Sequence, residues 1–478
     1  MTGSGAGAQS LRANVRKVLG GAALLASAQV LSRLIAMVFT LVIARLMSVS
    51  DFGTLNFALS MVVIFALVQD LGISRTVVKE IARRPEDAAL WIGRLLPAKL
   101  VLSSIAAFAM PVAAAMAGYD GSSVVVLVVG ASMLPSAAVW LLLENATQGV
   151  GAIRLLARVT ISNAALQTTL GLAAAWMGRG DPRVLVAAMV VANVLGTVIL
   201  WRLLVRRIGP IVPAFDLAFS RRTIAASLPY LSVAIAVAAI GRVEVLMLAR
   251  LAGDAQAGVF AAAFKLFEAA LFVLYSTQIA MNPILARLVA GERPDLERWL
   301  DWEFGVLAAL AVPACAGAYL LAGPLIQLLY PQGYAEAGDV LRVLLSALPI
   351  VAMQVFTAGV LVLTDGQRAV LALNLAVIAA QVVLAWALIP RFGALGAALG
   401  LVGSQLVAAA LGVALISRRV AGPSAFAGFR RMVVVSVAAV AAGWAVRAAA
   451  GDLSGVAAAV AVVACCIPFS NVRLLPPR

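Results

Sequence analysis

The sequence predicts an all-α integral membrane protein with about fourteen transmembrane helices, arranged as six, six and two. Three observations lead to this fold class. The 478 residues are 63% hydrophobic and only 12% charged, which leaves too little polar surface for a soluble protein of this length. Apolar runs of about 20 residues, the length that crosses a bilayer, recur along the whole chain. Lysine and arginine concentrate in alternate connecting segments, as they do in multi-pass membrane proteins.

The apolar runs form two sets of six and a final pair. The first set defines a predicted N-lobe at 18–204, the second a C-lobe at 224–416, and the pair occupies 432–469. The individual spans are predicted at 18–43, 54–78, 95–117, 123–146, 155–177, 184–204, 224–249, 258–283, 303–330, 338–363, 369–389, 394–416, 432–449 and 453–469.

Basic segments separate these sets. A cytoplasmic N-terminus at 1–17 precedes the first span, linkers at 205–223 and 417–431 follow the two lobes, and a tail occupies 470–478. The start of the first run is similar to a secretory signal peptide, but the run continues to about Ile43, which favours an uncleaved span.

The distribution of basic residues predicts the orientation. With the N-terminus inside, the inner segments hold twenty-five lysines and arginines. The outer segments hold six, namely Arg45, Arg179, Arg183, Arg250, Arg391 and Arg447. The sequence therefore predicts a multi-pass membrane protein with a cytoplasmic N-terminus. The net charge of +15 follows from this topology, so we expect no nucleic-acid partner.

A short segment occurs twice. IAMVFTLVIARLMSVSDFG at 35–53 returns as IGRVEVLMLARLAGDAQAG at 240–258, at an offset of 205 residues. Six spans per repeat is an even number, so the two copies share one orientation. We therefore predict two parallel six-helix lobes related by a pseudo-twofold axis along the membrane normal.

The composition argues against catalysis. The chain has no histidine, which removes imidazole acid–base chemistry and histidine metal ligation. Its three cysteines, Cys315, Cys465 and Cys466, lie in apolar runs, and the longest predicted loop has about twenty residues. We expect no enzyme, no metal site and no cofactor.

Three segments resemble bacterial polysaccharide flippases of the Wzx type in the MOP superfamily. They are LSRLIAMVFTLVIARLMSVSDFGTLNFALSMVVIFALVQDLGISRTVVKEIA at 31–82, LAGPLIQLLYPQGYAEAGDVLRVL at 321–344 and LIPRFGALGAALG at 388–400. The resemblance implies a MOP/MATE-like fold around a central cavity and a location in the bacterial cytoplasmic (inner) membrane. It also implies flipping of an undecaprenyl-diphosphate-linked oligosaccharide from the inner to the outer leaflet by alternating access, for surface polysaccharides such as O-antigen or exopolysaccharide. Polysaccharide polymerase or export proteins are possible partners on this view, and H⁺ or Na⁺ coupling stays open.

Two alternatives share this architecture. A lipid II flippase of the MurJ type carries a peptidoglycan precursor that also ends in a diphosphate. A MATE-type cation-coupled drug antiporter is expected to place acidic residues deep in its cavity, whereas the deepest charge of the first predicted span is Arg33.

Ionisable residues within membrane spans are costly and usually face a cavity or a partner. Arg33 and Gln29 lie one helical turn apart near the middle of the first span, where they could bind an anionic phosphate or a neighbouring helix. Asp70 and Lys99 lie at similar depth, as a gate of the inner mouth or as a packing pair.

The second lobe has its own intramembrane charges. Arg242, Lys265 and Glu268 fall at nearly one depth, where they could bind a diphosphate or form a structural cluster. Glu244 projects about 200° around the helix from Arg242, so we expect it to have another partner. Asn163, Gln167 and Asn374 could contact sugar hydroxyls or form interhelical hydrogen bonds.

Overall fold

The computed structural model describes residues 4–289, 299, 302, 321–363 and 367–419 of the chain, and the regular secondary structure of these residues is helical. The chain divides into two compact units, Met1–Ile235 (unit 1) and Ala236–Arg478 (unit 2). The predicted final pair at 432–469 and most of the predicted ninth span at 303–330 lie outside the described residues.

Unit 1 contains eight helices and most of a ninth. They are α1 (Ser4–Leu46), α2 (Val49–Asp70), α3 (Ile73–Arg83), α4 (Ala88–Met116), α5 (Gly121–Ala131), α6 (Met133–Gly149), α7 (Ile153–Met177), α8 (Pro182–Ile208) and α9 (Leu217–Ala239), with a 3₁₀ turn at Pro85–Asp87. Short polar turns join them. Asp181, for example, caps α8 by accepting a hydrogen bond from the backbone N–H of Arg183 at 2.7 Å, and Pro182 occupies the first helical position.

Unit 2 contains α10 (Arg242–Leu251), α11 (Asp254–Val289), a helix α12 described over 321–329, α13 (Ala337–Ser346), α14 (Leu348–Leu363) and α15 (Gln367–Arg419). A 3₁₀ turn at Gln332–Tyr334 joins α12 to α13.

Seven helical segments of the described chain are long and apolar enough to cross a membrane, and the bent pair α13–α14 would make an eighth. The seven are Leu24–Leu46, Val49–Asp70, Pro85–Met116, Gly121–Gly149, Pro182–Ile208, Asp254–Phe272 and Ala369–Ser417. The last of these contains two predicted spans, at 369–389 and 394–416. The total of fourteen stays a prediction.

The predicted second span was too long at its C-terminal end. The sequence predicts a helix to residue 78, but α2 ends at Asp70 because Leu71 (φ 51°) and Gly72 (φ 76°) adopt the left-handed conformation. The chain then starts the separate helix α3, whose apolar residues recur every four positions and form one buried face. Apolar content alone could not distinguish this amphipathic helix from the end of a span.

The predicted seventh span is broken in the same way. Gly241 (φ 75°) separates α9 from α10. A side chain here would be strained by the backbone and would also collide with the ring of Phe264 on α11. Glycine therefore permits both the turn and the close approach of α11.

Helix α15 reverses direction at Gly393 (φ 54°, ψ −130°). The segments before and after it pack against each other, since a Cβ added at Gly400 would lie 3.2 Å from the backbone N of Ala385. Gln256 of α11 stabilises the reversal, because its Oε1 accepts a hydrogen bond from the N–H of Ala394 at 2.8 Å. The predicted eleventh and twelfth spans are thus the two arms of a helical hairpin.

The connector between α8 and α9 lies against α4. The N–H of Ala214 donates to the carbonyl of Gly93 at 3.0 Å, and the side chain of Arg94 lies 3.7 Å from the Asp216 carboxylate and over the ring of Phe219. A Cβ at Gly93 would collide with the carbonyl oxygen of Val212. Residues 209–216 of the predicted basic linker are therefore attached to unit 1.

One apolar core gathers the helix ends on this side of unit 1. Its buried residues come from α3, α4, α6, α7 and α8: Ile73, Val77, Ile81, Ala88, Ile92, Leu95, Leu96, Leu142, Leu143, Ala146, Val159, Leu200 and Leu204. We call this side the basic end of unit 1, because the lysines and arginines of α3, of the start of α7 and of the end of α8 lie around it.

Candidate functional site

Helix α1 presents Gln29 and Arg33 on its accessible surface. Both residues are exposed in unit 1. The packed side of the helix contacts α7, where a Cβ added at Gly171 would lie 2.6 Å from the ring of Phe39. At about 100° per residue, Arg33 lies roughly 120° around the helix from Phe39. The structure therefore places the predicted guanidinium away from the α1–α7 interface.

The exposed surface of α1 has an apolar part as well. Leu34 and Val38 are 54% and 60% exposed, and both lie on the far side of Arg33 from the packed face. Thr40, which shares the polar strip, donates to the carbonyl of Ala36 in its own helix at 2.8 Å. Gln29 and Arg33 thus form a narrow polar strip between a packed face and an apolar face.

Asp70 and Lys99 form a buried ion pair, with 9% and 2% of their side chains exposed. The Lys99 ammonium donates to the Asp70 carboxylate and contacts the Asp70 carbonyl oxygen at 3.4 Å. The same carboxylate accepts hydrogen bonds from the hydroxyl and the N–H of Ser74, at 2.9 and 3.3 Å.

This ion pair joins three helices at one point. Lys99 lies on α4, Asp70 ends α2, and Ser74 lies in the first turn of α3. A buried charge pair with these additional hydrogen bonds holds the helices in one geometry. These contacts support the role of Asp70 and Lys99 as a packing pair. Their role as a gate of the inner mouth stays a prediction.

The structure also brings together Arg242, Lys265 and Glu268 in unit 2. Lys265 donates to Glu268 at 3.2 Å, and each of these side chains is 36% exposed. Glu268 also interacts electrostatically with Arg242. Two cations therefore share one carboxylate on a half-exposed surface. The cluster has a net charge of +1 and can accept a further anionic group.

Glu244 is a buried carboxyl group that was not among the predicted site residues. It is completely buried and, as expected, has a partner other than Arg242. Its Oε1 accepts a hydrogen bond from Nε2 of Gln381 at 2.6 Å, and the same nitrogen lies 3.3 Å from the carbonyl oxygen of Ala239. Oε2 of Glu244 is buried and has no hydrogen-bond partner among the residues that the structure describes. The sequence pattern that could have identified it is an acidic residue three positions after a glycine inside an apolar run.

Three of the uncharged polar candidates, Asn163, Gln167 and Asn374, are packed more deeply than Arg33. Oδ1 of Asn163 on α7 is buried and has no hydrogen-bond partner in the described part of the chain. It lies so close to Gly196 of α8 that a Cβ there would overlap it. Gln167 is half-buried on α7, and Asn374 is 8% exposed on α15. Asn163 therefore lies at a helix–helix interface, and the sugar-binding role of all three residues stays a prediction.

A second acidic residue, Glu144 of α6, was also missed. Its Oε2 accepts a hydrogen bond from the indole N–H of Trp140 at 2.9 Å. The pair lies one turn apart on the same helix, near the end of a predicted span. The described residues contain no group of three or more acidic, histidine or cysteine side chains that could hold a metal ion.

These observations define a polytopic helical membrane protein with intramembrane charges in both units. A family model described as "Polysaccharide biosynthesis protein" matches residues 18–289, more than half of the chain. The protein belongs to this family. No curated protein sequence matches the chain.

Solved structures show the same fold at low sequence identity. The lipid II flippase MurJ in an inward closed conformation has a TM-score of 0.68 at 9% identity, with 94% of this chain and 97% of that chain covered. An inward-facing multidrug resistance MATE transporter of the MOP superfamily has a TM-score of 0.63 at 15% identity, covering 81% and 94%. A MOP superfamily transporter from Pyrococcus furiosus has a TM-score of 0.56 at 16% identity, covering 83% and 93%. The predicted MOP/MATE-like fold class and family are confirmed.

Proposed function

We propose that the protein translocates a lipid-diphosphate-linked oligosaccharide between the leaflets of the membrane by alternating access, from the cytoplasmic to the outer side. The family supplies the biosynthetic context, since its description names polysaccharide biosynthesis. The fold is shared with transporters, among them the lipid II flippase MurJ. The cargo chemistry is argued from the charges of the chain.

The single observation that carries the proposal is the exposed position of Arg33 in the segment Leu24–Leu46. A cation near the centre of a span costs about 3 kcal/mol or more unless it meets water or an anion. A guanidinium binds phosphate oxygens through two parallel hydrogen bonds. An accessible arginine at this depth suits a diphosphate that must leave the aqueous surface.

The cluster of Arg242, Lys265 and Glu268 supports the same cargo. A diphosphate brings negative charge to two cations that already share one carboxylate. We infer that it replaces part of the interaction with Glu268 when it binds. Gln29, Asn163, Gln167 and Asn374 are the candidates for contacts with sugars, which need neutral donors and acceptors.

A lipid II flippase is the second candidate function. The fold of MurJ extends over 94% of the chain, and lipid II also carries a diphosphate. The arginine and lysine residues discussed above would serve either cargo equally well. The glycan, and not the phosphate chemistry, distinguishes the two functions.

We further propose that Glu244 couples transport to an ion, with a proton as the first choice. A buried carboxylate without a neutralising partner is unfavourable in a membrane. Its orphan oxygen can carry a proton while Gln381 holds the other oxygen. This acidic residue also favours the cation-coupled MATE-like alternative, although Arg33 does not suit a cationic drug.

The proposal includes the orientation of the protein in the membrane, with the basic end of unit 1 on the cytoplasmic side. The helix ends on the basic side of unit 1 carry many more arginines than the opposite ends, as expected of the cytoplasmic side of an inner-membrane protein. Polysaccharide polymerase or export proteins are the partners expected to receive the flipped cargo.

The test is a reconstituted flipping assay. Purified protein in vesicles is given a fluorescent undecaprenyl-diphosphate oligosaccharide or fluorescent lipid II, and an impermeant quencher reports the fraction in the outer leaflet. Faster equilibration of the oligosaccharide than of lipid II supports the proposal. If the protein does not accelerate the movement of either lipid over protein-free vesicles, the proposal is rejected. If it accelerates only lipid II, the second candidate function is favoured.

A further inference from the structure

Helix α3 has two faces of opposite character at the basic end of unit 1. Ile73, Val77 and Ile81 are buried in the apolar core. Arg75 and Lys79 are exposed and lie roughly 160° around the helix from the centre of this buried face. Since Arg83 extends the exposed row by one more turn, α3 presents a line of cations away from the protein.

The position of α3 is fixed by contacts along its length. A Cβ added at Gly149, the last residue of α6, would lie 2.8 Å from the side chain of Ile81. The hydroxyls of Thr76 and Ser227 of α9 are hydrogen-bonded at 2.6 Å. Asp70 holds the first turn of α3 through Ser74. The exposed cations are therefore attached to a well-supported helix.

Exposed apolar residues flank α3 on both sides along the chain. Val68, near the end of α2, is 47% exposed, and Leu90, near the start of α4, is 49% exposed. Both belong to segments that are long and apolar enough to cross a membrane. A helix between two such ends, buried on one face and cationic on the other, lies at the level of lipid headgroups.

The surroundings of α3 are strongly basic and contain few acids. Glu80 pairs with Arg83 at 3.1 Å, Asp216 pairs with Arg94 at 3.7 Å, and Glu86 and Asp87 lie in the 3₁₀ turn directly after α3. The other exposed cations of this end are Arg75, Lys79, Arg84, Arg154, Arg158, Arg202, Arg206, Arg207, Arg221 and Arg222. The opposite end of unit 1 carries only Arg45, Arg179 and Arg183 among the described residues.

We propose that the cationic face of α3 is a docking surface for the phosphate headgroups of anionic phospholipids in the leaflet at the basic end. Fixed cations beside an apolar surface match a lipid whose phosphate is anionic and whose acyl chains contact the neighbouring spans. The surface lies outside the proposed cargo site, because it contains none of the residues assigned to cargo. It does not depend on which lipid the protein flips.

The experiment compares two double variants of the full-length protein, each of which removes two positive charges, in a neutral detergent. R75Q/K79Q removes two cations of α3, and R179Q/R183Q removes two exposed cations of the opposite end of the same unit. Thermal unfolding is followed while short-chain phosphatidylglycerol is added. The midpoint of the stabilisation gives the apparent affinity, and phosphatidylcholine of the same chain length is the neutral reference.

We expect phosphatidylglycerol to stabilise the wild type at lower concentration than phosphatidylcholine. The midpoint for R75Q/K79Q should rise about 25-fold, because each cation near an anionic lipid surface contributes about five-fold in affinity. R179Q/R183Q should stay within about two-fold of the wild type. If R75Q/K79Q does not fold, the single variants R75Q and K79Q replace it, each with an expected rise of about five-fold.

An unchanged midpoint in the folded basic-end variant would overturn the proposal. Equal weakening in both double variants would also overturn it, because the effect would then be one of net charge. Stabilisation by inorganic phosphate at the same concentrations as phosphatidylglycerol would show simple anion binding in place of lipid docking.

Discussion

The side-chain amide of Gln381 on α15 donates a 2.6 Å hydrogen bond to the carboxyl group of Glu244 on α10. The two residues are 137 positions apart in the sequence, and both are almost inaccessible. The bond lies directly after the helix break at Gly241, where the carbonyl of Ala239 also contacts the amide. Unit 2 thus brings together a helix break, a buried acid and a buried amide at one position.

The first prediction concerns this acid. Glu244→Gln keeps the size of the side chain and removes the exchangeable proton, so we expect the protein to fold while transport loses its dependence on a proton gradient. Transport measured in vesicles with and without an imposed pH gradient is the appropriate readout. The control is Gln332→Asn, which changes an amide in the 3₁₀ turn before α13 and should leave the coupling intact.

Glu244→Ala separates coupling from stability. It removes the carboxylate acceptor of the buried Gln381 amide, which keeps only the longer contact to the Ala239 carbonyl, and this should cost about 1–3 kcal/mol of the free energy of unfolding. A transport rate in Glu244→Gln that follows the pH gradient as in the wild type would exclude Glu244 as the coupling residue.

The second prediction concerns the buried ion pair. Lys99→Met leaves the Asp70 carboxylate buried without its cation, and we expect a loss of about 3–5 kcal/mol in stability. The double variant Lys99→Met/Asp70→Asn should recover much of this loss, because no charge then remains. Thermal unfolding of the purified variants measures both effects.

Lys79→Met provides the comparison for Lys99→Met, since Lys79 is exposed on α3 and should change stability by less than about 0.5 kcal/mol. If Lys99→Met were as stable as the wild type, the ion pair would not hold α2, α3 and α4 together.

The third prediction concerns Arg33. Arg33→Ala should reduce translocation of the diphosphate-linked cargo at least ten-fold, because the guanidinium is proposed to bind the phosphate through two parallel hydrogen bonds. Arg33→Lys should recover only part of the rate, since a lysine offers a point charge in place of two parallel donors. The flipping assay in vesicles gives the rates. The control is Arg183→Ala, which removes one exposed cation from the end of unit 1 opposite the basic end.

Normal translocation in Arg33→Ala would remove Arg33 from the cargo site. Equal losses in Arg33→Ala and Arg183→Ala would indicate a general effect of charge on the reconstituted protein.

The fourth prediction concerns the contact between α1 and α7. Gly171→Ala places a methyl group 2.6 Å from the ring of Phe39, so the helices must separate, at a cost of about 1–3 kcal/mol. Phe39→Leu in the same chain should restore part of the stability by making room. The double-mutant cycle, measured by thermal unfolding, gives the interaction energy of the pair.

Gly151→Ala tests for a general effect of replacing glycine, since a side chain there meets no atom within 4 Å but requires a strained backbone (φ 69°). Phe39→Leu should improve Gly171→Ala and not Gly151→Ala. Equal recovery in both would contradict the contact as the cause.

The apolar pattern predicted the fold class and the approximate positions of most helices, because crossing a bilayer imposes a length that is visible in the sequence. It did not predict that α2 ends at Asp70 or that a helix break follows Ala239. Both features depend on the left-handed backbone conformation of Leu71, Gly72 and Gly241. A single glycine in an apolar run is too common to identify a helix break from the sequence.

The charged candidates were predicted because ionisable residues are rare within spans. The sequence also grouped Asp70 with Lys99 and Lys265 with Glu268 by depth, and the structure forms both ion pairs. The sequence did not predict that Ser74 of α3 also binds the Asp70 carboxylate, because that contact depends on the helix break after Asp70. Glu244 was considered in the sequence only for its direction relative to Arg242. Its burial and its bond to Gln381 arise from the packing of α10 against α15, which no local pattern encodes.

The attachment of residues 209–216 to α4 affects how the chain can be labelled. A basic, proline-containing connector would ordinarily be chosen for inserting an epitope or a protease site. Here the backbone of Ala214 is bonded to that of Gly93, and Asp216 lies beside Arg94. An inserted tag would detach this segment from the bundle, so the connector is a poor place for a topology reporter despite its composition.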